Sequence, residues 1–253
     1  MKIALLSDIH ANRQALATCL QHARAHGAEQ FALLGDLVGY GGEPAAVVEQ
    51  AMALAAQGAQ LVLGNHDAMA LAPPPAPRDR SELGAQWTHD QLSPAQRAFL
   101  GALPLTARLG ASALLAHASA DTPAQWRYVE DSGAAERSMD AARQLDPAIR
   151  YVFSGHVHEQ VLYFLTPTGK LMRFAPEPGV PIPVPQHRQW LAIAGSVGQP
   201  RDGDARAMYA VFDDAAAATI TFHRVPYDHL ATAAAIRAAG LPAFYAERLE
   251  KGL

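Results

Sequence analysis

Five short polar clusters, each placed directly after an apolar run, restrict the possible folds of this sequence more than any other feature. The clusters are Asp8-Ile9-His10, Gly35-Asp36, Gly64-Asn65-His66-Asp67, His117 and Gly155-His156-Val157-His158. The preceding runs, such as Leu61-Val62-Leu63, are typical of buried strands. In α/β proteins ligands bind beyond the carboxyl ends of the strands. If the five strands neighbour one another, their ends converge on one cleft.

The first third of the chain alternates strand and helix patterns. Strands are predicted over residues 2–7, 30–34 and 60–63, and helices over 13–26 and 44–57. Two consecutive β-α-β units predict a parallel sheet with helices on its faces. Further strand patterns lie at residues 105–109, 112–116, 150–154, 160–166, 170–174, 190–194, 207–212 and 219–225. The predicted fold class is therefore α/β (α+β), with a second sheet packed on the first and helices outside.

The length and composition favour a single domain over residues 1–253. Half of the residues are hydrophobic, which suffices for a substantial core. The proline-rich run 73–77 interrupts the pattern and begins a predicted helical insertion at about 73–103, whose second helix starts at Ser93. A helical C-terminal tail is predicted at about 228–253, with a break at 240–242.

The charge and cysteine content exclude several function classes. The formal net charge is -4 with scattered Lys and Arg, which argues against long nucleic acids as partners. No apolar run approaches the roughly 20 residues of a membrane helix, and the N-terminal run is too short for a signal peptide. The single cysteine, Cys19, can build neither a disulfide framework nor a thiolate metal site. We therefore expect a cytoplasmic protein without a membrane partner.

The polar clusters supply a metal-ligand inventory. Their side chains are Asp8, His10, Asp36, Asn65, His66, His117, His156 and His158. Two carboxylates, one amide oxygen and several imidazoles suit Mn, Fe or Zn better than an oxygen-only Mg or Ca site. The set exceeds the needs of one ion. Two divalent ions balanced by two aspartates leave a net positive site for a phosphate, which is the logic of two-metal phosphoryl transfer.

The motifs, taken in order, resemble those of the calcineurin-like metallophosphoesterase superfamily. The resemblance covers roughly residues 1–160, with a weaker match at Gly195-Ser196 to its small bacterial members, which include phosphodiesterases and dinucleoside polyphosphate hydrolases. It implies a β-sandwich flanked by helices and a dinuclear centre. The implied ligands are Asp8, His10, Asp36 and His158 for one ion, and Asp36, Asn65, His117 and His156 for the other. Asp36 would bridge the ions, and His66 would face the substrate as an acid or a phosphate contact.

Several further residues are candidates for weaker roles. The loop 195–203 contains glycines, Ser196 and Arg201, which can cradle a phosphate or simply form a turn. Tyr40 is predicted either to stack on a substrate base or to pack. Asn12 is a helix cap and also a candidate substrate contact. Asp67 is expected to orient His66 or a metal ligand from behind.

The combined pattern predicts a metal-dependent phosphoesterase with two divalent transition metal ions, Mn most favoured. Its expected partner is a small phosphorylated molecule, with a phosphodiester or nucleotide-type substrate preferred. A phosphomonoesterase and a diadenosine tetraphosphate-type hydrolase stay open as alternatives. A protein Ser/Thr phosphatase ranks lower, because Val38-Gly39 stands where the resemblance requires Arg-Gly. A mononuclear regulator or a non-catalytic metal-binding scaffold also ranks lower, because all eight groups are present.

Overall fold

The computed structural model describes residues 1–253 and contains twelve strands and eight α-helices. The strands are β1 (Lys2–Leu6), β2 (Gln30–Leu33), β3 (Gln60–Leu61), β4 (Thr106–Leu109), β5 (Ala113–Ala116), β6 (Tyr151–Ser154), β7 (Gln160–Leu165), β8 (Leu171–Phe174), β9 (Ile182–Pro183), β10 (Trp190–Ala194), β11 (Ala207–Asp213) and β12 (Thr219–Val225). The helices are α1 (Arg13–Ala25), α2 (Pro44–Ala56), α3 (Asn65–Leu71), α4 (Ala85–Gln91), α5 (Pro94–Gly101), α6 (Ser132–Leu145), α7 (His229–Ala238) and α8 (Ala243–Lys251).

The strands form two six-stranded sheets, as the sequence patterns predict. The first sheet has the order β3-β2-β1-β11-β12-β9, and the second has the order β4-β5-β6-β10-β7-β8. The β1, β2 and β3 strands are parallel, as expected for β-α-β units. The sheet is nevertheless mixed, because β11 pairs antiparallel with β1 on the other side. The sandwich flanked by helices is confirmed.

Side chains alternate along the strands and build a four-layer core. Ile3 and Leu5 of β1 point between the sheets and pack in a cluster with Phe153 of β6. Ala4 and Leu6 point the other way into the cluster formed with α1 and α2. The outer face of the second sheet packs on α6. Because β1 is buried on both faces, its sequence is continuously apolar instead of alternating.

The insertion and the tail lie together on one flank. Ser93 caps α5, since its Oγ accepts a hydrogen bond from Gln96 N at 3.2 Å, as predicted. The tail forms α7 and α8, and Tyr245 Oη donates to Arg80 O in the insertion at 2.7 Å. No helix in the chain is both long enough and apolar enough to pass through a membrane.

Two helices differ from the sequence-based expectation. The α6 helix was not predicted, because its buried positions are mostly alanines and give a weak apolar period. Its N-cap offered a signal: Asp131 Oδ1 accepts a hydrogen bond from Ala134 N at 2.8 Å. The α3 helix, which was not predicted, begins inside the polar cluster that follows β3.

The five strands that precede the polar clusters are not neighbours in one sheet. The β1, β2 and β3 strands belong to the first sheet, whereas β5 and β6 belong to the second. The condition that all five strands neighbour one another is therefore not met. The clusters still meet, because loops from both sheets fold over the same edge of the sandwich.

Candidate metal centre

Buried carboxylates join the loops that carry the polar clusters at this edge. His156 N donates to Asp8 Oδ2 at 2.8 Å, which ties the loop after β6 to the loop after β1. His66 N donates to Asp36 Oδ1 at 2.8 Å, which ties the start of α3 to the loop after β2. Each carboxylate thus keeps a second oxygen directed at the neighbouring imidazoles.

The backbone around these side chains is strained. Asp8, His10, Asp36, His156 and His158 all have positive φ, between 50° and 68°. The left-handed region is unfavourable for residues other than glycine and costs about 1–3 kcal/mol each. Such a conformation persists only where surrounding contacts impose it, and it clusters at functional sites.

The glycines of the motifs make room for this arrangement. A Cβ atom at Gly64 would overlap Asp36 Oδ1, and one at Gly155 would overlap Ser7 Oγ. A side chain at Gly64 would push apart two loops of the first sheet, and one at Gly155 would push apart loops of the two sheets. Glycine therefore precedes the polar residues in these motifs because the loops pack closely beneath the ligand atoms.

Two groups of potential ligands lie side by side. Asp8, His10 and His158 form one group, and Asp8, Asp36, His117 and His156 form the other, with ligand atoms within 4.8 Å of one another in each group. Asp36 Oδ2 lies between the groups, 3.8 Å from His10 Nε2 and 3.4 Å from His117 Nε2. Asn65 Oδ1 lies 3.0 Å from His117 Nε2. All seven predicted ligand residues therefore lie in one cluster.

Backbone carbonyls determine which imidazole nitrogen carries hydrogen. The Nδ1 atoms of His10, His117 and His158 lie 3.1, 2.8 and 2.6 Å from backbone oxygens of Val38, Leu34 and Gln199, respectively. A carbonyl oxygen only accepts, so each Nδ1 must be the donor. In the neutral ring, Nε2 then presents a lone pair to the centre of the cluster, which is the orientation seen in metal-binding histidines.

The lone pairs of His10 and His158 created in this way face each other. His10 Nε2 and His158 Nε2 are 3.1 Å apart, and His117 Nε2 is 3.1 Å from His156 Nδ1. Asp8 Oδ1 is buried without a hydrogen-bond donor. Converging lone pairs repel unless a cation lies between them, so this donor set fits divalent metal ions.

Comparisons with known proteins identify the family of this chain. Residues 1–216 match the calcineurin-like phosphoesterase superfamily domain. The chain belongs to this superfamily. It is 30% identical over 258 residues to an uncharacterized protein of Methanocaldococcus jannaschii, covering 99% of this chain and 98% of the relative.

Solved structures show the same fold over the full chain. A metallophosphoesterase from Sphaerobacter thermophilus matches with a TM-score of 0.81 and 32% identity, covering 100% of both chains. A hypothetical protein from Pyrococcus horikoshii OT3 matches with a TM-score of 0.76 and 18% identity, covering 100% of this chain and 98% of that one. The second likeness concerns the fold alone.

Ionisation in this superfamily member reflects the crowding of acids and imidazoles. Burial opposes charge on His117, but the Asp36 and Asp8 carboxylates outweigh it and raise the pKa of His117 to about 9. Burial, reinforced by His117, lowers the pKa of His156 to about 4. Without metal, a proton on His117 offsets the negative charge of these carboxylates. A bound metal ion would displace this proton.

His66 lies beside the cluster without belonging to either ligand group. Its ring packs against Tyr40 at 4.4 Å and against His10 at 5.1 Å between centroids, and the ring makes no hydrogen bond within the protein. Burial lowers the pKa of His66 below its usual value. The ring nitrogens are therefore free to contact a substrate.

The carboxylate of Asp67 contacts backbone groups and not the ring of His66 or a ligand. Its oxygens accept hydrogen bonds from Val38 N at 3.1 Å and from Gly64 N at 3.0 Å. Burial and the nearby Asp36 carboxylate raise the pKa of Asp67 to about 7. Asp67 therefore supports the site by joining two loops, which differs from the orienting contact we expected.

Two of the predicted substrate contacts have structural partners instead. Asn12 caps α1 through Ala15 N at 3.0 Å, and its Nδ2 donates to Gly198 O at 2.9 Å. Ser196 Oγ donates to Asp8 O and accepts from Gln199 N, both at 2.8 Å. Both side chains are fully buried. Their arrangement favours a role in holding the ligand loops.

Tyr40 and Arg201 lie nearer to the opening of the cleft. Tyr40 is 7% exposed, with its ring between those of His10, His66 and Tyr245, so it packs instead of offering a free face. The Arg201 guanidinium lies 5.8 Å above the Tyr40 ring and donates to Gln199 Oε1 at 2.9 Å. Arg201 therefore stays a candidate for contact with a phosphate.

Sequence reasoning missed Tyr128, whose ring stacks on His156 with centroids 3.9 Å apart. The residue lies in the loop between β5 and α6, where no apolar run precedes it. The only available signal was the pair of aromatic residues Trp126 and Tyr128 in a polar loop after His117.

Proposed function

We propose that this protein is a phosphoesterase that holds two divalent transition metal ions and hydrolyses phosphate esters of the diester or nucleotide type. The observation that carries the proposal is the pair of adjoining ligand groups whose imidazole lone pairs converge. Membership of the superfamily supports a phosphoesterase activity. The substrate is a small phosphorylated molecule in this proposal.

Hydrogen bonds in the cluster favour one assignment of ligands. Asp8 Oδ2 is engaged by His156 N, which leaves Oδ1, 3.1 Å from His158 Nε2, for the first ion. Asp36 Oδ2 lies between His10 and His117 and suits the shared position. The first ion is thus assigned Asp8, His10, Asp36 and His158, and the second Asp36, Asn65, His117 and His156.

The donor set of carboxylate, amide and imidazole favours Mn, with Fe or Zn as alternatives. Two such ions would supply Lewis acidity and a nucleophile at neutral pH. His66 would donate a proton or a hydrogen bond to the leaving oxygen. Arg201 would hold a phosphate oxygen, because guanidinium matches phosphate geometry.

The alternatives differ in the substrate and in the presence of catalysis. A phosphomonoesterase or a diadenosine tetraphosphate-type hydrolase uses the same ions. A scaffold without catalysis is disfavoured, because seven ligand residues and His66 all face one cleft. We also propose a cytoplasmic site of action, since the lone Cys19 is buried and free.

Metal stoichiometry gives the first test. Protein reconstituted with Mn²⁺ should contain two ions per chain by elemental analysis, because each ligand group satisfies one ion. The variant His229→Ala, outside the cluster, should keep both ions, whereas His117→Ala should keep fewer. No more than one ion in the wild-type protein would contradict the dinuclear proposal.

Hydrolysis gives the second test. The Mn²⁺-loaded protein should cleave bis(p-nitrophenyl) phosphate, and chelation followed by dialysis should remove the activity until Mn²⁺ is returned. Parallel assays with p-nitrophenyl phosphate and a dinucleoside tetraphosphate rank the alternative substrates. A fully loaded protein that cleaves none of these esters would instead favour the scaffold.

A further inference from the structure

The loop between β5 and α6 places an exposed aromatic ring directly against the ligand cluster. The Tyr128 ring stacks on His156 with centroids 3.9 Å apart and planes inclined by 25°. The residue is nevertheless 47% exposed. One face of the ring therefore covers a ligand imidazole, and the opposite face is open to solvent.

The other aromatic rings near the cluster offer no comparable face. Tyr40 is buried among His10, His66 and Tyr245. Trp126 is half-buried and stands edge-on to the His117 ring, with centroids 5.9 Å apart. Among these rings, Tyr128 is the most exposed and the one that stacks face to face on a ligand imidazole.

The surrounding backbone holds Tyr128 in place before any ligand binds. Ser119 N donates to Arg127 O at 3.1 Å, which closes the loop just before Tyr128. The next residue, Val129, is buried in the core cluster under α6. Trp126 has a φ of 52°, a strained value that the loop must impose. A rigid aromatic surface loses little conformational entropy when a ligand stacks on it.

Positive charge lies beside the cluster. The Arg201 guanidinium is 5.8 Å from the centroid of the Tyr40 ring, which itself packs against His66 with centroids 4.4 Å apart. A ligand with an anionic group and a planar ring matches this pairing. The anionic group would meet Arg201 and the metal cluster, while the ring would lie on Tyr128.

We propose that Tyr128 is a stacking platform for a planar aromatic ring carried by the phosphate ester, as in a nucleotide. This inference rests on the proposed function and names its substrate class. Stacking of a base on an aromatic side chain corresponds to roughly 5- to 150-fold in affinity. Phosphates without a ring gain nothing from the platform.

The test uses ligands that differ only in the ring. Calorimetry on the Mn²⁺-loaded protein compares AMP with ribose 5-phosphate, which share a sugar and a phosphate. Tyr128→Ala should weaken AMP binding roughly 5- to 150-fold and leave ribose 5-phosphate unchanged, whereas Tyr128→Trp should retain AMP binding. The control Phe174→Ala removes an aromatic residue of similar exposure, 44%, from β8 and should alter neither affinity.

Each outcome decides the proposal. An equal loss of affinity for both ligands would show that Tyr128 acts through the position of His156, and an unchanged affinity for AMP would show that no nucleobase stacks on Tyr128. Either result overturns the nucleotide platform. If Tyr128→Ala instead abolishes a preference for phenyl phosphate over methyl phosphate, the platform binds a simple aryl ring. If AMP does not bind the wild-type protein, the platform is wrong. Cleavage of bis(p-nitrophenyl) phosphate by the same preparation then shows whether the proposed function survives.

Discussion

Asp36→Asn should abolish phosphodiester hydrolysis, with a loss of roughly 10³-fold or more, and leave the protein unable to hold two metal ions. The magnitude follows from the several kcal/mol of charge stabilisation that bound ions contribute to phosphoryl transfer. The geometry makes the change severe. Because Oδ1 accepts the His66 N–H bond, the new amide would keep its oxygen there and direct its NH₂ group at His10 and His117.

The same substitution should leave the metal-free fold intact. Without the Asp36 carboxylate the pKa of His117 falls, so the NH₂ group of the introduced amide would face neutral rings and donate to the Nε2 lone pairs of His10 and His117. Melting temperatures should be compared between metal-free forms, since bound metal stabilises the native state by linkage. An Asp36→Asn protein that cleaves diesters as fast as the wild type would show that the proposed site is wrong.

Asp67→Asn is the matched control, because it makes the same chemical change in a buried residue of the same cluster. Both Asp67 oxygens accept backbone N–H bonds, so an amide would leave Val38 N or Gly64 N facing a donor. An unsatisfied buried group costs about 1–3 kcal/mol. We expect lower stability with both metal ions retained, the reverse of the Asp36 variant.

His66→Ala should lower turnover by roughly 10²- to 10⁴-fold, the usual range for loss of a general acid, while metal content stays at two ions. The backbone N–H of residue 66, which binds Asp36, is unaffected, and alanine is compatible with the first turn of α3. The loss should be larger for esters with an alkoxide leaving group than for nitrophenyl esters, which need little protonation.

A second variant separates proton transfer from simple contact. His66→Gln keeps an N–H donor near the ring position but cannot titrate, so it should restore KM more than kcat if His66 is an acid. Equal restoration of both would assign His66 as a phosphate contact. Loss of metal from either variant would identify His66 as a ligand instead.

The local motifs predicted the two-sheet fold and the identity of the polar groups well, because both depend on short-range patterns. Apolar runs mark strands wherever both faces of a sheet are covered. The α6 helix escaped prediction, since alanines at its buried face resemble those on many exposed helices. The antiparallel pairing of β1 with β11 in the first sheet also escaped prediction, because the two strands lie far apart in the chain.

The sequence by itself determined the chemistry of this protein: carboxylate, amide and imidazole groups placed after glycines and strand ends, in the order typical of the superfamily. Only the tertiary structure decided how those groups act. Asn12 and Ser196 hold loops together through Gly198 and Asp8, partners more than 180 residues away in the chain. The converging histidine lone pairs, and the Tyr128 ring on His156, likewise exist only where separate loops meet. Hydrogen bonding and stacking depend on distances of a few ångströms, which spacing along a chain does not encode.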